Sequence, residues 1–240
     1  PLPSGIAGLP DNPNLLVRRA LGVFALITRA RSRLIVPSRY EDVNLIVVRE
    51  ATEDVYAQIE HEVVPGVVES IKVTTEKASR RIFEFAFDLA EREGIERITI
   101  VHKANIMKRT DGMFLRCGLE MAERHPKLQA ESLIADNMAM QLVSAPERYQ
   151  MLVCGNLFGD LLSDLATGII GGPLASRVTG HGDGVVVHQT ILDGYVGAGA
   201  PSQDPPLHFV VPAISLLRDL GYDENADRLG EAVVSTLESK

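Results

Sequence analysis

The chain lacks several features that would each point to a class of protein. It contains no tryptophan and only six histidines among 240 residues, so neither carries the functional reading below. No apolar run approaches the length needed to cross a bilayer. There is no excess of positive charge. A net charge of -8 argues against a general nucleic-acid or anionic-membrane surface. The two cysteines, Cys117 and Cys154, lie in apolar-patterned segments and read as reduced core thiols. Neither a signal peptide nor an Arg- and Ser-rich transit peptide opens the chain. It begins at Pro1, which leads to the expectation of a processed or trimmed protein. Internal repeats and low-complexity tracts are also missing.

What is present is ordinary for a soluble globular protein: 45% hydrophobic and 23% charged residues. The length suits one large or two modest domains. Residues 1–14 are rich in Pro and Gly and are expected to be irregular. Residues 15–27 suggest a helix running into a strand. VNLIVVRE (43–50) reads as a buried strand, and VVESIKVTT (67–75) as a hairpin strand. The clearest helix spans 76–94, with Ile82, Phe85, Ala86 and Leu89 on one face and Gly94 as C-cap. A strand (97–102), a helix (111–124), a strand (130–136), a helix (137–144), a strand (150–154) and a helix (158–168) follow. Between Leu174 and Pro206 one good strand is expected, GVVVH (184–188), before two closing helices at 207–221 and 223–239. Alternating strands and helices indicate an α/β architecture.

Two places carry chemistry. In VHKANIMKRTDG, Lys103 directly follows a β-rich run. A partly desolvated lysine near a metal can shuttle protons; the plainer alternative is a surface lysine at a strand end. In GDLLSD, Asp160 and Asp164 stand four residues apart in the first turns of an expected helix, on one face. Asp136 is expected to end a strand. Three carboxylates at element ends could hold Mg²⁺ or Mn²⁺, or the helical pair could simply favour the dipole. Tyr56 is a candidate second proton donor or a packing tyrosine. Arg18 and Arg49 have the guanidinium fork that matches a substrate carboxylate.

The segments NLLVRR, VREATEDVYAQIEHE, GVVESIK, VHKANIMKRTDGMFL, DNMAMQLVSAPERY and NLFGDLLSDLATGIIGG stand in order over about residues 14–172. Together they resemble the isocitrate/isopropylmalate family of β-decarboxylating dehydrogenases, and most of all the regulatory subunits of mitochondrial NAD-dependent isocitrate dehydrogenases. DLGYDENADRLGEAV is similar to the family's C-terminal helices. The resemblance implies a two-domain α/β fold. Residues 24–172 would be the small dimerisation domain, with a clasp near 54–75. Residues 1–23 and 173–240 would be a large domain incomplete at its N-terminus, with an unclosed sheet edge. Arg18 and Arg49 match substrate-carboxylate arginines, and Tyr56 and Lys103 the catalytic pair. Asp136, Asp160 and Asp164 match metal aspartates, one normally offered across a dimer interface. The implied chemistry is hydride transfer from a 2-hydroxy acid to NAD, with a metal polarising the new ketone while CO₂ leaves.

The chain departs from the family pattern in several places. The adenine-contacting His and Asn fall on Leu192 and Pro205, which offer a base no side-chain hydrogen bond. A Glu before that loop falls on Gln189. A second clamping arginine falls on Thr28, and Arg29 is one residue out of register. Thr-Glu-Gly becomes Thr52-Glu53-Asp54, and Asn12 replaces a substrate-binding Ser. These changes suggest a degenerate nucleotide site in which NAD is not held and no cofactor-binding residue remains. The expected role is a regulatory or structural subunit beside a homologous subunit, or within a larger assembly of the mitochondrial matrix. The alternative is an active NAD-dependent isocitrate dehydrogenase that forms 2-oxoglutarate.

Overall fold

The structure, a computed structural model, describes residues 13–32, 38–190 and 205–238. Helix α1 (Pro13–Ala20) leads into strands β1 (Ala25–Arg31) and β2 (Asn44–Glu50). A hairpin, β3 (Glu60–Val64) with β4 (Val67–Ser70), projects before α2 (Glu76–Glu93). Then come β5 (Arg97–His102), α3 (Thr110–Arg124), β6 (Gln129–Ile134), α4 (Ala135–Ser144), β7 (Met151–Cys154) and α5 (Asn156–Ile169). The described part closes with β8 (Ser176–Gly182), β9 (Val185–Gln189), α6 (Pro205–Asp219) and α7 (Asp223–Glu238). This is a mixed α/β fold built on one seven-stranded sheet of order β6-β5-β7-β2-β1-β8-β9. The β6, β5, β7 and β2 strands run parallel; β1, β8 and β9 join antiparallel.

Strand alternation sorts the core into two layers. Ile27, Ile46, Val48, Ile98, Ile100 and Val153 face α2 and α3, where Ile82, Phe83, Phe87 and Phe114 meet them. Leu45, Val47, Val101 and Leu152 face the other way, onto Met138 and Leu142 of α4 and Leu162 and Ala166 of α5. Helix α2 bears out its sequence signals. Thr75 caps its N-terminus, and Gly94 ends it in the left-handed conformation. Its buried stripe is shifted from expectation: Phe83 and Phe87 join Ile82, Ala86 and Leu89, while Phe85 is only half-buried.

Several boundaries differ from expectation. Asp136 does not end a strand: it sits in the first turn of α4, where the helix dipole favours an acid. Helix α5 starts at Asn156, so neither Asp160 nor Asp164 is in its first turn. That removes the dipole account of the pair. The strand expected over 67–75 stops at Ser70, followed by an isolated bridge from Val73 to Asp54. Strand β8 was not expected at all. Its glycines dilute the β signal, yet they are there for close approach: a Cβ on Gly182 would lie 2.8 Å from the Leu21 carbonyl oxygen. Through β8, residues beyond 173 continue the sheet on β1, leaving β9 rather than β1 at that edge. Of residues 1–14, expected to be irregular, Pro13 and Asn14 instead open α1, because proline suits a helix's first turn; residues 1–12 and the loop with Leu192 lie outside the described residues.

Helix α3 crosses tightly over β5 and α2 at Gly118. A Cβ there would come within 2.7 Å of Ile100 Cδ1 and of Phe83 Cζ. Gly118→Ala is therefore expected to destabilise the fold by about 1–3 kcal/mol through overpacking. Urea denaturation monitored by circular dichroism measures this, and an unchanged midpoint would refute it.

Candidate functional site

The site begins with a buried charge. Arg49, near the end of β2, is only 5% exposed and faces α5. A buried guanidinium must be paired and hydrogen-bonded. Its Nε donates to Asn156 Oδ1 at 2.8 Å, and its Nη1 pairs with Asp160. Helix α5 can approach because residue 159 is glycine. A Cβ on Gly159 would lie 2.6 Å from Arg49 Cγ. Asp160 also accepts the hydroxyl of Tyr56, and the Arg49 guanidinium lies 4.9 Å from the Tyr56 ring centre. Tyr56 sits in a short helical turn held by Asp54. Burial, and then the hydrogen bond to Asp160, push the Tyr56 hydroxyl up to about 12. It is a neutral proton donor throughout the physiological range.

These three side chains and Arg18 line a cavity of about 340 Å³. Arg18 also borders a neighbouring, largely aliphatic cavity of about 460 Å³, together with Val187, Gln189 and Phe209. Arg18, Arg49, Tyr56 and Asp160 are thus gathered in one place. Asp164 lies one turn further along α5, exposed and with an interaction of its own. Lys103 and Asp136 form a separate pair. Lys103 stands where β5 ends, its Nζ bonds Asp136, and this ammonium holds the carboxyl below the usual carboxylate range.

Among the described residues no group of three or more His, Cys, Asp or Glu is arranged to hold a metal ion. Asp160 and Asp164 present hard oxygen donors on one helical face, which fits Mg²⁺ or Mn²⁺. At the position where the resemblance puts a second clamping arginine, the strand geometry is plain. Thr28 is 3% exposed on β1, opposite Val47. Arg29 points to the other face and makes a two-pronged pair with Glu93 of α2, at 2.5 and 2.6 Å. Asn156, Asp54, Lys72 and Asp111 were missed by sequence reasoning. Asn156 opens the NLFGDLLSD stretch and holds both Arg49 and the Glu53 carbonyl at 3.0 Å. Its place in that stretch was the one available signal.

Comparison with known proteins places this arrangement. The family profile described as isocitrate/isopropylmalate dehydrogenase matches residues 8–240. The chain is 39% identical over 225 residues to the chloroplastic 3-isopropylmalate dehydrogenase of Solanum tuberosum, covering 93% of this chain and 63% of that protein. Two mitochondrial NAD isocitrate dehydrogenase subunits of Arabidopsis thaliana are each 38% identical. Catalytic subunit 5 aligns with 93% of this chain and 60% of its own length. Regulatory subunit 1 aligns with 97% and 64%. The crystal structure of isocitrate dehydrogenase from Methylococcus capsulatus superposes with a TM-score of 0.88 at 35% identity, over 98% of this chain and 72% of that one. The chain therefore spans about 60–64% of the length of these curated relatives.

The Tyr56 environment gives a direct check. In metal-free protein, Asp160→Asn removes the charge that accepts the Tyr56 hydroxyl. The Tyr56 pKa should then fall from about 12. An ultraviolet titration of phenolate absorbance, compared with Tyr56→Phe to assign the band, reads this. An unmoved midpoint would contradict the hydrogen bond.

Proposed function

This chain belongs to the isocitrate/isopropylmalate dehydrogenase family, and on that premise we propose that it acts as a non-catalytic subunit, regulatory or structural, beside a homologous dehydrogenase subunit. The observation that carries this reading is at Thr28. A short neutral side chain occupies the clamp position, and the adjacent Arg29 is committed to Glu93 on the opposite face. One clamp on a substrate carboxylate is lost, at a cost of a few kcal/mol of binding. The adenine contacts are replaced as well, by Leu192 and by Pro205, which opens α6. We infer that NAD is not held by this chain.

In this reading residues 24–172 are the pairing domain, with 1–23 and 173–240 belonging to the larger one. Every residue of β3 and β4 is exposed, Val63, Val64, Val67 and Val68 among them. A lone two-stranded hairpin is marginal in water, and an apolar surface of this kind marks a partner. Met140 on α4 and Leu161 on α5 are also exposed, at 58% and 61%. Pairing would supply the missing carboxylate: Asp160 and Asp164 of one subunit would hold Mg²⁺ or Mn²⁺ with Asp136 of another. A bound metal would supply Lewis-acid polarisation of a substrate oxygen. Arg18 and Arg49 would bind carboxylates, and Tyr56 and Lys103 would hold protons. The proposed compartment is the mitochondrial matrix.

The second reading is an active decarboxylating dehydrogenase, acting on isocitrate or 3-isopropylmalate. It is favoured by the retention of Tyr56, Lys103 and the α5 aspartates in ordered geometry. Kinetics separates the two. The purified chain, given either substrate with Mg²⁺ and NAD, is expected to form no NADH. Steady turnover would overturn the non-catalytic reading and establish the second.

A further inference from the structure

Between the Arg49 cavity and the Lys103–Asp136 pair lies a buried ion cluster. Lys72, in the stretch joining β4 to α2, places Nζ 2.8 Å from Asp111 Oδ1 and 3.3 Å from Asp54 Oδ2. Its side chain is 17% exposed, and those of Asp54 and Asp111 are 4% and 5%. The ammonium also lies 5.1 Å from the Phe158 ring centre. Both carboxylates reach backbone at the chemistry-bearing elements. Asp111 Oδ2 accepts the Lys103 N–H at 2.7 Å. Asp54 Oδ2 accepts the Leu157 N–H at 3.1 Å, and its Oδ1 accepts that of Val55 at 2.8 Å. Leu157 is the second residue of α5, whose N-cap, Gly155, makes no side-chain cap. One lysine thus links the start of the Asp160 helix to the backbone of Lys103.

Asp54 is held there against its own preference. Its φ of 73° and ψ of -151° lie in a region that glycine favours. Such a conformation persists only where the surroundings over-determine it. Here two N–H donors and the Lys72 ammonium do so. A cluster that served packing alone would have no need to hold a strained residue between two functional segments.

We propose that Lys72 is a positioning residue: through Asp54 and Asp111 it holds the start of α5 and the Lys103 turn in one register. The inference rests on the reading of Lys103 and Asp160 as site residues that pairing of two subunits would bring together, and it needs no turnover.

Amide hydrogen exchange in the full chain tests it. Lys72→Met removes the cation shared by the two acceptors. Exchange at Lys103 and at Leu157 should then rise together by about tenfold, the scale of a lost charge-assisted hydrogen bond. Exchange within β5, at Ile100, should not change. Lys72→Arg, which keeps a cation, should restore protection at both amides. Acceleration at neither amide, at only one, or equally across β5 would overturn the proposal, as would failure of the arginine variant to rescue. If Lys72→Met does not fold, Lys72→Gln is read at the same amides with the same outcomes. Exchange reads the same whether or not the protein turns over substrate, so the two readings fail separately.

Discussion

The burial of one guanidinium organises this molecule. Arg49 emerges from the middle of a hydrophobic sheet, and its charge cannot be left unpaired in so dry a setting. Its partners all come from α5 or from the turn that α5 supports: Asn156, Asp160 and, over the ring face, Tyr56. That requirement sets how close α5 lies to β2, and glycine at 159 is the local concession that lets it. Once α5 is placed, the direction of Asp160 and Asp164 follows. The same pairing neutralises the site when it is empty.

Much of this was legible in the sequence, and the parts that were not share a cause. Helix α2 announced itself through period, cap and terminal glycine, all local signals. Strands β2, β5 and β7 did so through short β-branched runs. Lys103 stands at the end of β5 as expected, whereas the α5 aspartates lie beyond the first turn of their helix. Strand β8 could not be read this way. Its glycines look like loop residues until β1 and β9 are seen pressing on both sides. Asn156, Lys72 and Asp111 were equally silent. Each matters because of a partner far along the chain, and no spacing rule connects Lys72 to Asp111 or Asn156 to Arg49.

Thr28 and Arg29 show how firmly the fold fixes which face of the sheet a side chain occupies. A strand side chain changes face with every residue, so Arg29 cannot stand in for an arginine at 28 by a small adjustment. Bringing it round would mean slipping β1 by one residue. That strand is paired on both sides, with β2 and with β8, over nearly its whole length. A slip would break both ladders, turn Ile27 out of one core layer and Ala30 out of the other, and separate Arg29 from Glu93. The cost far exceeds what one carboxylate contact returns. Retention of Asp160 does not by itself decide the matter. Asp160 is needed to satisfy Arg49. That structural work of Asp160 persists whether or not substrate is ever oxidised, which is why its presence alone does not establish an active dehydrogenase.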